Sequence, residues 1–140
     1  MSCWLHVAGV IRIDAFRFGD NPELNFNKLI GKECLWNSDE RVWNDQEKHP
    51  EKYLPMGSEG SLHKTIWKNP SKSEVPAYTV TIFGDLRDKS NAEEIITWFK
   101  EKCKQVWVRN AVITVSGGYE GIKTWAYEGY AASEPLISSN

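Results

Sequence analysis

Apolar residues alternate with other residues near the start of the chain, which predicts a β-strand. From position 5 to position 13 every second residue is apolar or glycine, and Ala8 and Val10 add apolar side chains at intervening positions. Because successive side chains of a strand point to opposite faces, this spacing predicts a strand at residues 5–14. Apolar residues on both faces favour a central place in a sheet.

The same alternation, together with β-branched and aromatic residues, predicts further strands at residues 61–68, 77–86, 107–115 and 122–127. Short connections rich in turn residues separate the second strand from the third and the fourth from the fifth. Both connections favour antiparallel hairpins.

A helical period replaces the alternation at residues 24–30. Asn21 is a candidate N-cap before Pro22, a residue that the first helical position tolerates. Gly31 is a candidate C-terminal end for this helix. The segment therefore predicts a short first helix.

A longer apolar stripe with helical spacing extends over residues 92–106. Ser90 and Glu93 have capping-box spacing, in which the serine oxygen accepts a hydrogen bond from a backbone N–H and the glutamate reaches back to the cap. Glutamates at its start and lysines towards its end also suit the helix dipole. We expect a second helix here.

Residues 32–60 show no sustained period, because charged residues, aromatic residues and helix breakers alternate there. Such a long loop inside a domain is often functional, as a lid or an interface. The alternative is a short extra strand and a helical turn that cover the core. The sequence leaves these possibilities open.

The predicted elements follow the order β-α-β-β-α-β plus a final strand. This order predicts an α+β fold of the ferredoxin-like split β-α-β type, an antiparallel sheet with two helices and an additional C-terminal strand. We expect one domain over residues 1–130, with a long insertion at about 32–60, and a polar tail at 131–140. Aromatic positions on both faces of several strands predict that the sheet face opposite the helices is covered, either by segment 32–60 and the fifth strand or by another subunit of a homo-oligomer.

Composition and charge narrow the function classes. The chain has 140 residues and a formal net charge of −2, which argues against sequence-independent binding to duplex nucleic acid. The cysteines number three and form no CxxC pair, as is typical of a reducing compartment. The sequence shows neither a signal peptide nor a membrane-spanning apolar run, so we expect a cytoplasmic protein. The seven tryptophans fit either an aromatic core or exposed anchors.

His63 and Thr65 are the sharpest candidates for chemistry, because alternate positions on a strand share a face. The segment Leu62-His63-Lys64-Thr65-Ile66 resembles the motif of the 2H phosphoesterase family, whose two histidines act as general acid and base beside a phosphate-binding hydroxyl. A second motif would begin at His6, where Ala8 stands in place of the hydroxyl residue. If the protein is an enzyme, the resemblance implies His63, Thr65 and His6 as catalytic residues. The alternative is that His63 is an ordinary surface or interface histidine.

The sequence predicts neither a metal site nor a cofactor. His6, His49 and His63 lie far apart and show no ligand spacing. Recognition of single-stranded RNA by stacking is also disfavoured, because Tyr78 and Phe83 have opposite parity on one strand.

A resemblance over much of the chain is carried by Ser2-Cys3-Trp4-Leu5, by residues 54–62 (LPMGSEGSL) and by residues 78–86 (YTVTIFGDL). These segments resemble a group of small proteins encoded by phages of Gram-positive bacteria. The resemblance implies no residue roles. It implies the host-cell cytosol and a context in which accessory proteins counter host defence, by blocking a protein or by sequestering a nucleotide signal.

Our leading hypothesis is a non-enzymatic phage accessory protein that forms a homo-oligomer. It would inhibit anti-phage immunity by sequestering a nucleotide-derived signal. In that case Trp67 or Trp43 stacks on a base. The candidate phosphate ligands are Arg12, Lys64 and Arg109. Core packing for the tryptophans and solvated surface for the cations are the structural alternatives.

Two further hypotheses remain. One is an inhibitor of a host defence protein, or a virion-associated interaction module, that uses residues 36–53 as its contact surface, because aromatic anchors among polar residues suit such a surface. The other is a phosphodiesterase that uses His63 and His6.

Overall fold

In a computed structural model of the protein, the described residues are 3–14, 22–36, 39–69, 77–89, 91–105, 108–118 and 121–128. The strands in these ranges are β1 (Trp4–Asp14), β2 (Leu62–Asn69), β3 (Ala77–Arg87), β4 (Val108–Gly117) and β5 (Lys123–Glu128). The helices are α1 (Pro22–Leu29), α2 (Glu40–Lys48) and α3 (Ala92–Cys103), with a 3-10 turn at Pro50–Lys52.

The strands form one five-stranded sheet in the order β2-β3-β1-β4-β5, and every pairing in it is antiparallel. The α+β class and the antiparallel sheet are therefore confirmed. The prediction of two helices is wrong, because the described residues contain three. The additional helix, α2, lies in the segment for which the sequence shows no sustained period.

One face of the sheet packs against α3 and α1 to form the core. Phe99 of α3 is fully buried, and its ring meets that of Trp125 edge-on with centroids 5.9 Å apart. Gly9 of β1 gives this ring room, since an added Cβ would lie 3.1 Å from Cε1 of Phe99. Phe26 of α1 meets Tyr78 of β3 edge-on at 5.5 Å. The inner face of the sheet also holds Leu5, Val7, Ile11, Ile13, Val80, Ile82, Leu86, Ile113 and Val115.

Asn91, rather than Ser90, caps α3. The Asn91 side chain accepts a hydrogen bond from the backbone N–H of Glu93 at 3.1 Å, which satisfies one of the unpaired donors of the first turn. Ser90 lies outside the described residues, and so does Asn21, the predicted cap of α1. The first helix begins at Pro22, as the sequence predicts.

Part of segment 32–60 covers the core. Leu54 is 1% exposed and belongs to the core cluster. Buried Gln46 of α2 holds the segment together, because its side-chain oxygen accepts from the Leu35 N–H at 2.6 Å and its amide donates to the Leu35 carbonyl at 3.3 Å. In place of an extra strand, an isolated β-bridge joins Lys32 to Tyr53.

Within the described ranges, no helix combines the length and the apolar character that crossing a membrane requires. The predicted polar tail at 131–140 lies outside the described residues.

Candidate functional site on the open sheet face

The sheet face opposite the core, which we call the open face, carries exposed or half-buried side chains along its strands wherever burial is described. The strand registers align these side chains in rows that cross the sheet. The His6 row consists of Asp85, His6 and Ser116; the His63 row of His63, Phe83, Ala8, Thr114 and Thr124; the Thr65 row of Thr65, Thr81, Val10, Val112 and Ala126; and the Trp67 row of Trp67, Thr79, Arg12, Asn110 and Glu128.

Charge on the open face lies at its two ends. Asp85 stands in the His6 row, and Arg12 and Glu128 stand in the Trp67 row. The Thr65 row between them contains only threonine, valine and alanine. A ligand or partner on this face would therefore meet an uncharged centre between polar margins.

Aromatic side chains cluster towards the β2 side of the open face. Trp67 is 64% exposed and Phe83 is 46% exposed. The ring of His63 lies beside that of Phe83, with centroids 5.6 Å apart. Exposed rings of this kind can stack on a planar ligand.

Arg12 lies in the same row as Trp67, two strands away across Thr79. The strand spacing puts their backbones about 10 Å apart. Nη1 of Arg12 donates to Oδ1 of Asn110 at 2.9 Å, which orients the guanidinium on the open face. A guanidinium has several N–H donors, so this contact leaves others to bind an anion.

The three residues of the phosphoesterase hypothesis all lie on the open face. Nδ1 of His6 is 2.6 Å from Oδ1 of Asp85, and Nδ1 of His63 is 3.6 Å from Oε2 of Glu33. The Thr65 hydroxyl is hydrogen-bonded to that of Thr81. His6 and His63 are two strands and one row apart, so their Cα atoms are about 12 Å from each other.

The other predicted ligand residues lie elsewhere. Nζ of Lys64 donates to the carbonyl of Gly31 at 2.6 Å and to the side chain of Asn27, so Lys64 joins β2 to the end of α1. Arg109 is exposed on β4, at the irregularity in its pairing with β1. Of the proposed phosphate ligands, Arg12 is the one that shares a row with Trp67.

Trp43 belongs to a second surface, which we call the Trp36 patch and which consists of Leu35, Trp36 and Trp43. The rings of Trp36 and Trp43 have centroids 5.3 Å apart. Leu35 is 51% exposed and Trp36 is 44% exposed. The Trp43 indole N–H donates to Glu47 at 2.8 Å, so this ring is held on the patch.

A cavity of about 250 Å³ separates α3 from segment 32–60. Cys34, Tyr53, Met56, Ile95 and Trp98 are among its lining residues. Burial raises the pKa of the Cys34 thiol, which keeps it protonated and weakly nucleophilic near neutral pH. The lining of this cavity is mostly apolar, which is more typical of a packing defect than of a catalytic site.

Asp85 and Ser116, which flank His6 in its row, are not among the site residues that the sequence predicts. No local motif joins these residues, because they lie on three different strands and meet only through the registers. The described residues contain no cluster of three or more His, Cys, Asp or Glu side chains suited to a metal ion. No protein-family model, curated protein or solved structure matches the chain.

Proposed function

We propose that the protein is a phage accessory protein that inhibits bacterial anti-phage immunity by sequestering a nucleotide-derived signal on the open face. The observation that carries this proposal is the Trp67 row, where an exposed indole and an exposed guanidinium share one sheet face. A base stacked on Trp67 and a phosphate bound to Arg12 use the two kinds of contact that a nucleotide offers.

Neighbouring side chains support the same ligand class. Phe83 and His63 extend the aromatic surface by two rings along β3 and β2. Stacking on such rings accepts any base, because every base has a π-face. The hydroxyls of Thr65 and Thr81 lie between these rings and Trp67 and can bond to sugar or base edges.

The phage context comes from the resemblance of residues 54–62 and 78–86, and it places the proposed activity in the host cytosol. Cys3, Cys34 and Cys103 are all free thiols. Free thiols are the usual state of cysteine in a reducing compartment.

The proposal includes a ferredoxin-like split β-α-β core, to which β5 adds an edge strand and α2 an insertion. It also includes a homo-oligomer as the binding form. Two copies that cover the apolar part of the Thr65 row, which is Val10, Val112 and Ala126, would shield it from water, while Thr65, Thr81 and Trp67 stay at the margin.

Release of bound ligand tests the binding class. The purified protein is incubated with a panel of cyclic and linear nucleotides, separated from free nucleotide and heated, and the released material is identified by mass spectrometry. Intact nucleotide is the expected result. If every nucleotide passes through unbound, sequestration is excluded for that panel.

Trp67→Ala should weaken binding of the retained nucleotide, because stacking on an aromatic ring contributes about 1–3 kcal/mol per base, or about 5- to 150-fold in Kd. Trp43→Ala is the matched control, since it removes an indole from the Trp36 patch. Titration calorimetry of both variants measures the difference. Equal loss of affinity in the two variants, or no loss in either, would contradict a site at Trp67.

The Trp36 patch favours a second candidate function, the binding of a host defence protein. Two of its residues are large, apolar and exposed, and such residues are frequent anchors in protein interfaces. A double substitution, Leu35→Ser with Trp36→Ala, should then abolish protection of a phage in plaque assays while nucleotide retention stays unchanged. Loss of protection in Trp67→Ala alone would instead favour the open face.

A phosphodiesterase is the third candidate, favoured because His6, His63 and Thr65 share the open face. In the release experiment it would yield an altered nucleotide. His63→Ala should then abolish turnover, and unchanged turnover would reject His63 as the acid or base.

A further inference from the structure

The His6 row brings together three side chains with polar groups on the open face. Asp85 of β3 lies directly opposite His6 of β1, and His6 lies directly opposite Ser116 of β4. Side chains at paired positions have Cβ atoms about 4.5–5.5 Å apart. A carboxylate, an imidazole and a hydroxyl thus follow one another across three neighbouring strands.

Asp85 orients the imidazole of His6. Nδ1 lies 2.6 Å from Oδ1 of Asp85, and because an ionised carboxylate only accepts hydrogen bonds, Nδ1 is the donor. In the neutral ring, Nε2 then keeps its lone pair and can take a proton. A Cβ added at Gly117 would lie 3.5 Å from Cδ2 of His6, so this edge of the ring faces β4. Nε2 adjoins Cδ2 on the half of the ring that faces β4.

A depression of about 320 Å³ gives a small substrate room beside these groups. His6, Asp85 and Ser116 line it together with Thr114, Phe83 and Ala8. The small Ala8 leaves the space open, and Phe83 adds an apolar wall. Thr114 lies two residues before Ser116 on the same face, and its hydroxyl lies 3.4 Å from that of Thr124. When Thr124 donates in this pair, the Thr114 hydroxyl can donate to a substrate oxygen.

We propose that Ser116 is a nucleophile towards short carboxylic esters, with His6 as its general base and Asp85 as the residue that positions His6. Oγ of Ser116 bonds to the carbonyl carbon while its proton passes to Nε2 of His6. The ester C–O bond then breaks, and His6 gives this proton to the departing alkoxide. Water attacks the acyl-serine by the same route, which releases the acid and restores the hydroxyl.

This site shares Phe83 with the proposed nucleotide surface, but Ser116, His6 and Asp85 lie outside the Trp67 row, so neither activity requires the other. Among the described residues, no hydrogen bond joins Ser116 to His6. Catalytic contacts of this kind often tighten only when substrate binds. The side chains of His6 and Asp85 are 58% and 61% exposed, and water at the site weakens its electrostatics, so we expect slow turnover.

A fluorophosphonate probe tests the nucleophile on the full chain. The Ser116 oxygen bonds to phosphorus, the P–F bond breaks, fluoride leaves, and His6 takes the serine proton. We expect peptide mass mapping to find the probe on Ser116 and none there after Ser116→Ala. His6→Ala should slow labelling about 10²- to 10⁴-fold. Ser58→Ala is the control, because it removes a different serine, an exposed one that bonds Asp88.

Absent labelling, labelling only at other residues, or a rate that His6→Ala leaves unchanged would overturn the assignment. Circular dichroism and thermal melting of each variant show whether it is folded. The same variants should rank in the same order by their rate of p-nitrophenyl acetate hydrolysis as by their rate of labelling. Nucleotide retention, measured in parallel, should stay at the level of the unmodified protein.

Asp85→Asn tests the positioning role with a side chain of the same shape. The amide no longer requires the proton to sit on Nδ1, so we expect ¹⁵N NMR of the His6 ring to show a changed tautomer and labelling to slow at least about 10-fold. A changed rate with an unchanged tautomer would contradict positioning through this hydrogen bond.

Discussion

At the scale of single residues, Gly60 lies where the chain passes too close to β3 to carry a side chain. Its φ is +73°, and an added Cβ would lie 2.1 Å from the carbonyl oxygen of Asp85. The backbone holds this approach, because the Arg87 N–H donates to the carbonyl of Glu59 at 3.0 Å. Gly121 has a similar φ of +75°, but an added Cβ there would meet nothing within 4 Å. Comparing substitutions at the two glycines therefore distinguishes the cost of the backbone conformation from the cost of the steric contact.

Gly60→Ala is therefore expected to lower the free energy of unfolding more than Gly121→Ala does. A left-handed conformation costs an L residue about 1–2 kcal/mol at either position, and the contact with Asp85 adds to this at Gly60 alone. Urea denaturation of both variants and of the unmodified protein measures the difference. Equal losses would mean that the turn at Gly60 moves away without penalty.

At the scale of elements, one hydrogen bond ties α2 to the end of the 3-10 turn that follows it. The Tyr53 hydroxyl donates to the Asp45 carboxylate. This bond lowers the pKa of Asp45, and the nearby charges of Lys52 and His49 add to the effect. The same bond, together with burial, raises the pKa of Tyr53 to about 12.

The acid stability of the protein should depend on this bond. Asp45 binds its proton less tightly in the folded chain than in the unfolded one, so its stabilisation is complete above its ordinary pKa of about 4 and is lost as the pH falls through the lowered folded value. We expect Tyr53→Phe to reduce thermal stability at pH 6 and to make less difference below pH 4. Melting curves across this pH range measure the difference in melting temperature between Tyr53→Phe and the unmodified protein. A difference that does not change with pH would contradict a stabilising bond between Tyr53 and the ionised Asp45.

How far the elements could be predicted depends on the strength of their periods. The alternation in β1 and the apolar stripe of α3 each identify one buried face, because their repeats match the geometry of a strand and of a helix. The helix α2 has only two apolar residues, Val42 and Trp43, so it carries no apolar stripe of this kind. The buried residue of α2 is Gln46, a polar side chain that bonds the backbone of Leu35.

At the scale of the whole molecule, the candidate sites depend on the pairing registers between strands, which cannot be predicted from the local sequence of any one strand. Parity along one strand correctly puts His63, Thr65 and Trp67 on one face. It cannot show that Arg12 stands in the row of Trp67 or that Ser116 stands beside His6. The members of each pair belong to different strands and lie 55 and 110 residues apart in the sequence. Parity alone is enough to predict the face on which Lys64 lies. It has the opposite parity to His63, and its side chain contacts α1 on the core side of the sheet.

The uncharged centre of the open face leads to a prediction about self-association. Val112 in the Thr65 row is 37% exposed, and an arginine there would place a charge in the middle of a contact between copies. We expect the molar mass of the unmodified protein to rise with concentration in light scattering and that of Val112→Arg to remain monomeric. Thr97→Arg, on the exposed side of α3, is the control and should associate normally. A monomer at every concentration would contradict the homo-oligomer.

The position of Glu33 has a consequence for solubility. β2 is an edge strand, and the outward backbone N–H of Lys64 donates to the Glu33 carboxylate at 2.9 Å. An edge with free N–H groups invites strands of other molecules to pair with it and to extend into aggregates. Here an incoming strand would first have to displace a charged side chain. Glu33 thus protects β2 against strand addition at this position, while the adjoining sheet face stays accessible to a partner.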